Sequence, residues 1–281
     1  MAKRSASGIT SGGGGSAVGG SGGGRSSGTT NTTASASATS AQVNANPAPT
    51  ANANANPAPT AMQNLQSMDD AQLAALVNNS KQASMPNQLA DRDDVTQKFV
   101  YTAGLNEKPQ VLDNAQFSQF MKDNNLSTSD LISRDINPIT YKNNSGTNVK
   151  MTADDVADMM MYSRYNYIGG KVNGQALGAG TYFDHVNGGS TGYGGRNSKT
   201  VVGVLNPATA RPISSRNLAS QAQQFAQTHP QFAKAVGAYN TSFSGGKNNM
   251  SIYALAMGYN VIMDSGGYTN VIDRSAIVYR K

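Results

Sequence analysis

A run of glycines and aromatic residues contains the residue types best suited to hold a ligand. Six glycines fall between Gly169 and Gly188, where they let the backbone turn sharply and approach a ligand closely. Tyr182, Phe183 and Tyr193 lie in or just after this glycine segment. An aromatic ring can stack on one side of a flat molecule while backbone groups bind its edge. The pattern therefore favours a site for a flat ring such as nicotinamide.

The same residues have a plainer interpretation, which is a surface loop between two strands with Tyr182 and Phe183 in the core. A second formal motif carries little weight. Gly188-Gly189-Ser190-Thr191-Gly192 fits the Gly-x-Ser-x-Gly pattern of a serine nucleophile, but that chemistry needs a strand before the serine and a helix after it. No apolar strand leads into Ser190, so we do not assign it as a nucleophile.

Composition argues against several classes of function. The 281 residues include no cysteine and two histidines, so thiolate catalysis is excluded and no metal is predicted. No apolar run is long enough to cross a membrane, and the basic start Met1-Ala2-Lys3-Arg4 lacks the apolar segment of a signal peptide. The net charge of +6 comes without a basic stripe interleaved with aromatics, so nucleic acid is not favoured as a partner. We expect a soluble protein made in a cytoplasm.

Composition also divides the chain into three parts. Residues 1–61 are glycine and serine runs followed by a repeated Asn-Ala-Asn-Pro-Ala-Pro-Thr-Ala. Such a segment cannot bury enough apolar surface to offset the entropy lost on ordering, so a disordered tail is predicted, either a tether or a solubilising extension. Residues 62–94 are predicted as a linker with a short helix that starts near Ser67 and Asp70. This helix is interpreted either as a docking helix or as part of the linker. Residues 95–281 are predicted as the folded domain.

Several elements are expected to position the glycine-rich run. Capping pairs mark two helix starts, Asp113 with Gln116 and Thr152 with Asp155. Further helices are predicted over residues 215–227, 228–236 and 248–257, the last ended by Gly258. Strands are predicted over residues 199–205, 261–263 and 271–279.

Two stretches resemble a known family. The run from Gly178 to Asp184, Gly-Ala-Gly-Thr-Tyr-Phe-Asp, followed by Ser190-Thr191-Gly192-Tyr193, resembles the second motif of ADP-ribosyltransferases, closest to the poly(ADP-ribose) polymerase and diphtheria-toxin branch. The C-terminal residues 254–262 and 270–279 resemble ADP-ribosyltransferase-like proteins encoded by tailed bacteriophages. The resemblance covers about residues 95–281. It implies an α+β fold with a split antiparallel β-sheet core and helices, preceded by the disordered tail.

The resemblance implies roles for individual residues. Arg134 matches an arginine on the first core strand that binds NAD phosphate, for which a planar guanidinium is well suited. Asp135 stands where the pattern has glycine, and an exposed strand end is the alternative for Arg134. The other residues implied to bind NAD are Gly180, Thr181, Tyr182, Ser190 and Tyr193.

The chain departs from the family at the catalytic glutamate. Tyr268-Thr269-Asn270 aligns with the family's Tyr-x-Glu, so Asn270 replaces a carboxylate that stabilises a cationic transition state. Asp273 is the nearest carboxylate along the chain, although a regular strand would turn it to the opposite face. Asn270 and Asp273 are therefore the catalytic candidates.

Two functions follow from the resemblance. The first is an NAD-dependent mono-ADP-ribosyltransferase that uses NAD as its substrate, needs no metal, and modifies a host or virion protein. The alternative is a catalytically silent virion or head-associated structural protein of a phage that retains the fold. Both imply a location in the host cytoplasm or the virion, protein partners, and no membrane or signal peptide.

Overall fold

The computed structural model describes residues 60–84, 95–105, 108–142, 145–162, 177, 180–184, 195–241, 248–265 and 267–281. The chain divides into two units, Met1–Ala55 and Asn56–Lys281, and every described residue belongs to the second. The disordered tail predicted for residues 1–61 therefore lies outside the described residues, except for Thr60 and Ala61.

Most of the strands in the described residues join one large sheet. The strands are β1 (Gln110–Leu112), β2 (Ile132–Ile136), β3 (Ile139–Lys142), β4 (Asn148–Met151), β5 (Thr181–Asp184), β6 (Lys199–Leu205), β7 (Pro212–Ser214), β8 (Val261–Met263), β9 (Tyr268–Val271) and β10 (Ile277–Arg280). The sheet order is β1-β10-β6-β2-β5-β9-β8-β7, and β3 and β4 form a separate hairpin. Neighbours in the sheet are antiparallel except at its edges, where β1 with β10 and β7 with β8 are parallel.

The predicted strands over residues 199–205 and 261–263 are confirmed. The strand predicted over residues 271–279 was wrong as a single element, because β9 ends at Val271 and β10 begins at Ile277. A 3-10 turn, Arg274–Ala276, separates them. The mixed α+β class and the mostly antiparallel sheet are confirmed.

The large sheet consists of two halves with four strands each. Between β2 and β5, Ser133 and Asp184 form the only backbone pair among the described residues. By contrast, β2 pairs with β6 over five residues and β5 pairs with β9 over four. The halves β1-β10-β6-β2 and β5-β9-β8-β7 therefore meet through little ladder hydrogen bonding. We call this contact between β2 and β5 the central junction.

Helices cover the sheet, and their starts follow local side-chain chemistry. The helices in the described residues are α1 (Ala61–Gln66), α2 (Asp70–Gln82), α3 (Val95–Thr102), α4 (Asn114–Asp123), α5 (Ala153–Tyr162), α6 (Ser215–Thr228), α7 (Pro230–Val236) and α8 (Met250–Ala256). The capping pair predicted for α4 is confirmed, since Asp113 accepts a hydrogen bond from the Gln116 N–H at 2.8 Å. The helix predicted to start near Asp70 begins at that residue, but the predicted cap was wrong: Asp69 caps α2, and Ser67 ends α1.

The two faces of the sheet are covered by different helices. On one face, Val156 and Met160 of α5 pack against strand residues that include Phe183. On the other face, Phe117 of α4 covers β6 and β10. The remaining helices and β8 contribute to the largest apolar cluster, which includes Ile262.

The segment predicted as a linker contributes to this largest cluster. Leu65 of α1 and Leu73 and Val77 of α2 are each at most 1% exposed. All three belong to the same cluster as Phe232 of α7 and Leu255 of α8. Burial of apolar side chains is the main favourable contribution to folding, so α1 and α2 stabilise the structure that they cover.

Charged side chains hold α2 against both ends of α7. The Asp70 carboxylate accepts hydrogen bonds from the first backbone amides of α7, Gln231 at 3.0 Å and Phe232 at 2.8 Å. The Lys81 ammonium donates to the Ala235 carbonyl at 2.6 Å. An anion at the N-terminus of a helix and a cation at its C-terminus are both favourable. The two contacts therefore fix the register of α2 on α7.

A chain that begins at Val95 should be less stable than one that begins at Thr60. Without α1 and α2, the surface that Leu65, Leu73 and Val77 cover becomes exposed. Each such side chain contributes about 1.5–3 kcal/mol, so we expect the free energy of unfolding to fall by at least about 4 kcal/mol. Urea unfolding of both truncated chains, with the full chain as control, measures the difference. Equal midpoints for the two truncated chains would contradict this role for α2.

Candidate functional site

Five of the predicted site residues, Arg134, Gly180, Thr181, Tyr182 and Asn270, lie in or beside β5, which lies between β2 and β9. Gly180 precedes this strand at a point with no room for a side chain. A Cβ atom there would lie 2.8 Å from the Asn270 Cγ and 2.9 Å from the Val271 carbonyl oxygen. Glycine is therefore required for β9 to approach the start of β5 this closely.

Tyr182 and Asn270 are directly opposite each other on β5 and β9, so their side chains lie on one face of the sheet. Both bind the backbone of Leu177. The Tyr182 hydroxyl accepts a hydrogen bond from the Leu177 N–H at 2.6 Å, and the Asn270 Nδ2 donates to the Leu177 carbonyl at 2.9 Å. Asn270 is fully buried and Leu177 is 5% exposed. The chain's own backbone thus occupies polar groups that could otherwise bind the amide of a ligand.

Burial controls the ionisation of Tyr182. It raises the pKa of the phenol well above its usual value, against smaller opposite effects of the Leu177 N–H and the Arg134 charge. The hydroxyl is therefore neutral near pH 7. A neutral phenol can accept the Leu177 hydrogen bond, but it cannot serve as a general base at that pH.

Arg134 lies in β2 at the central junction. Its Nη1 donates to the Tyr182 carbonyl oxygen at 2.9 Å, close to where the ladder between β2 and β5 stops. The residue as a whole is half-buried, but its Nε is enclosed and has no hydrogen-bond partner among the described residues. Burial lowers the pKa of Arg134 to about 10, opposed by the nearby Tyr279, Tyr182 and Asp184. The guanidinium therefore remains charged near pH 7.

Strand alternation divides the predicted residues between the two faces of the sheet. Arg134 and Thr181 project toward the α5 side, on the same face as Phe183, which packs in the α5 cluster. Tyr182 and Asn270 project toward the other side. The structure thus brings Arg134, Tyr182 and Asn270 onto three neighbouring strands without turning all three to one face.

The face of Tyr182 carries two carboxylates that the sequence did not identify as site residues. Asp135 is 7% exposed and accepts a hydrogen bond from the Thr200 hydroxyl at 2.6 Å. Asp184 is 9% exposed and lies two residues beyond Tyr182. Alternation along β5 could have pointed to Asp184. No sequence signal could have pointed to Leu177, because its backbone makes the contacts.

Asp273 serves a different part of the fold. It follows β9 and caps the 3-10 turn, where it accepts hydrogen bonds from the Ser275 N–H at 3.3 Å and the Ser275 hydroxyl at 2.7 Å. The residue is 4% exposed. These contacts are those of a turn-capping carboxylate. The catalytic role predicted for Asp273 stays a prediction.

Ser190 and Tyr193, both predicted to bind NAD, lie outside the described residues. Within the described ranges, no group of three or more His, Cys, Asp or Glu side chains is arranged to hold a metal ion. No helix in those ranges has the length and apolar character that a membrane span requires. Comparison of the chain with protein-family models, with curated proteins and with solved structures gives no match.

Replacement of Tyr182 by phenylalanine should destabilise the fold. The substitution leaves the buried Leu177 N–H without its acceptor, which costs about 1–3 kcal/mol. Tyr259→Phe is the matched control, because the Tyr259 hydroxyl bonds an exposed partner, Gln221, at 3.1 Å. We expect the control to change the free energy of unfolding by less than about 0.5 kcal/mol. Equal losses for the two variants in guanidinium unfolding would contradict the Leu177 contact.

Proposed function

We propose that the chain is an ADP-ribosyltransferase-like protein that is catalytically silent and serves as a structural component of a bacteriophage particle. One observation carries the proposal: the side chains of Tyr182 and Asn270 both bind the backbone of Leu177. In the family that the sequence resembles, these two positions belong to the NAD site. In this chain the Tyr182 hydroxyl and the Asn270 Nδ2 are used inside the fold.

The strand arrangement supports the fold part of the proposal. The resemblance implies an arginine on the first core strand, a tyrosine on the strand of the second motif, and a carboxylate on a late strand. The corresponding residues Arg134, Tyr182 and Asn270 lie on β2, β5 and β9, which are consecutive in the sheet. The weak ladder at the central junction also fits a split sheet.

The chemistry of Asn270 supports the proposal that the chain is catalytically silent. When nicotinamide leaves NAD, the ribose becomes cationic, and a nearby carboxylate stabilises that charge. Asn270 has no charge, is fully buried, and lies directly against Gly180. A ribose could take the hydrogen bond of the Asn270 Nδ2 only in place of the Leu177 carbonyl. Loss of a full charge beside a developing cation costs several kcal/mol, and therefore orders of magnitude in rate.

Composition of the tail supports a structural role in an assembly. Residues 1–61 are polar, glycine-rich and repetitive. A coil-like segment of this kind is well suited to tether a folded domain to a particle without fixing its orientation.

A transferase is the second candidate, and Arg134 is the observation that favours it. The Arg134 Nη1 donates to the Tyr182 carbonyl, and the enclosed Nε has no partner among the described residues. Arginine presents several donors in a plane, which suits a pyrophosphate. If the chain is a transferase, the NAD phosphates must bind these donors.

Nicotinamide release tests the proposal against this candidate. We expect the wild-type chain neither to bind NAD saturably at millimolar concentration nor to release nicotinamide from it. Asn270→Asp should also be inactive, because it puts a carboxylate oxygen against the Leu177 carbonyl without opening a path for the ribose. The measurements are saturation-transfer NMR with NAD and chromatography of the products. NAD cleavage by the wild-type chain would overturn the proposal that it is catalytically silent. Cleavage by Asn270→Asp alone would show instead that Leu177 does not keep the ribose from this position.

A positive test of the structural role uses purified particles of the encoding phage. Mass spectrometry should find the chain at a fixed copy number relative to the major capsid protein. Its absence from purified particles would contradict a structural role, whatever the outcome with NAD.

A further inference from the structure

Among the described residues, α1 is held to the rest of the protein by packing alone. Its hydrogen bonds are local: the Asn64 N–H donates to the Thr60 carbonyl at 2.9 Å, and the Ser67 N–H donates to the Gln63 carbonyl at 3.1 Å. Thr60 and Gln63 also form a capping box. No hydrogen bond or ion pair joins residues 60–68 to any other residue that the structure describes.

One side chain anchors α1. Leu65 is 1% exposed and belongs to the largest apolar cluster, whereas Ala61 and Met62 are only partly buried against that cluster. Gln66 lies against Gly258, where a Cβ atom would be 2.8 Å from the Gln66 Cδ. The burial of Leu65 is therefore the main contribution that keeps α1 in place.

A cavity of about 220 Å³ lies beneath α1. Gln63 and Gln66 line one side of it, and the opposite wall includes Thr209, Arg211 and Asn260. Atoms that line a void have no van der Waals partners across it. The cavity therefore weakens the contact between α1 and this wall.

The wall opposite α1 is held together without it. The Asn260 side chain accepts a hydrogen bond from the Arg211 backbone N–H at 2.7 Å and donates to the Thr209 carbonyl at 3.0 Å. The Thr209 hydroxyl donates to the Ser275 carbonyl at 2.5 Å. The wall therefore needs no bond from α1 to keep its shape.

The adjacent helix α2 is also independent of α1. Asp69 begins a second capping box, in which Gln72 is its partner. The docking of α2 on α7 through Asp70 and Lys81 uses no residue of α1. Because α1 ends at residue 66 and the cap of α2 is residue 69, the link between them is a hinge about which α1 can turn while α2 stays docked.

We propose that α1 is a hinged lid over this cavity. It opens as a unit about residues 67–69 while α2 stays docked on α7, and the open state exposes Leu65 and the cavity wall at Asn260 to water. In the described part of the chain α1 is the first helix, so a partner that binds the preceding residues acts on this lid first. The inference is independent of the proposed function, because the lid shares no residue with the contacts of Leu177.

The test is native-state hydrogen exchange of the labelled full-length chain, followed by NMR in increasing concentrations of guanidinium below the unfolding transition. We expect the Asn64 and Ser67 amides to exchange with one shared opening free energy that changes little with denaturant, because little surface is exposed when α1 opens. The Leu73 and Phe232 amides, which report on α2 and α7, should open at a higher free energy that falls steeply with denaturant.

Two variants separate the opening of α1 from that of α2. Leu65→Ala should raise the opening constant at Asn64 and Ser67 about thirtyfold or more, because the contact of Leu65 exists only in the closed state. Val77→Ala is the matched control, since Val77 is fully buried in the same cluster but belongs to α2. It should leave the opening constant at Asn64 and Ser67 unchanged while it speeds exchange at Leu73.

A disulfide can lock the lid, because the chain has no cysteine of its own. A Cβ atom at Gly104 would lie 3.9 Å from the Ala61 Cβ, which is within the range for a disulfide. In the double variant Ala61→Cys, Gly104→Cys, oxidation should slow exchange at Asn64 and Ser67 at least about tenfold. The same variant in its reduced form is the control, because it carries the same strain at Gly104, where φ is 73°.

Three outcomes would overturn the inference. The first is exchange of the Asn64 and Ser67 amides at the opening free energy of Leu73, or fast exchange at Asn64 alone, which is fraying of the first turn. The second is an equal effect of Val77→Ala on Ser67 and on Leu73, which means that α1 and α2 open together. The third is unchanged exchange at Ser67 when the double variant is oxidised.

Discussion

The hydrogen bond from Arg134 to the Tyr182 carbonyl is the contact on which the sheet depends, because it joins two halves that share little ladder. Among the described residues, β2 and β5 have one backbone pair, Ser133 with Asp184. A hydrogen bond from a charged donor contributes about 1.5–3 kcal/mol to stability. Its loss would leave the Tyr182 carbonyl oxygen without this donor. The same bond sets the position of Tyr182 and therefore where Leu177 is held. Fold and candidate site thus share one constraint.

The buried Tyr279 lies near two arginines, Arg134 and Arg274. Tyr279 is 2% exposed, and burial raises its pKa, while Arg274 and Arg134 act in the opposite direction. Burial lowers the pKa of Arg274 as well. Buried cations cost desolvation free energy, which hydrogen bonds such as that of Arg134 to the Tyr182 carbonyl offset. A slip of β2 by one residue would move Arg134 away from the Tyr182 carbonyl and would exchange the two faces of the strand.

Features set by near neighbours in the chain could be predicted, and features set by distant ones could not. Asp113 caps α4 as the spacing to Gln116 indicates, and Gly258 follows α8 with a φ of 88°, as expected for a glycine that ends a helix. The surface on which α2 packs could not be predicted, because Asp70 bonds Gln231, 161 positions away. The assignment of Asn270 to a catalytic position stays a prediction, and its buried contact depends on a backbone carbonyl that no side-chain pattern reveals.

The proposed function depends on the contacts by which Tyr182 and Asn270 hold the Leu177 backbone, and these contacts must persist in solution. Hydrogen exchange at the Leu177 amide, measured by NMR, tests these contacts most directly. If the Tyr182 hydroxyl accepts that N–H inside the fold, the amide should exchange orders of magnitude more slowly than in an unstructured peptide, with a protection free energy that approaches the global value. Exchange at the rate of an unstructured peptide would contradict the proposed function, because the Tyr182 hydroxyl and the Asn270 Nδ2 would then be open to a ligand.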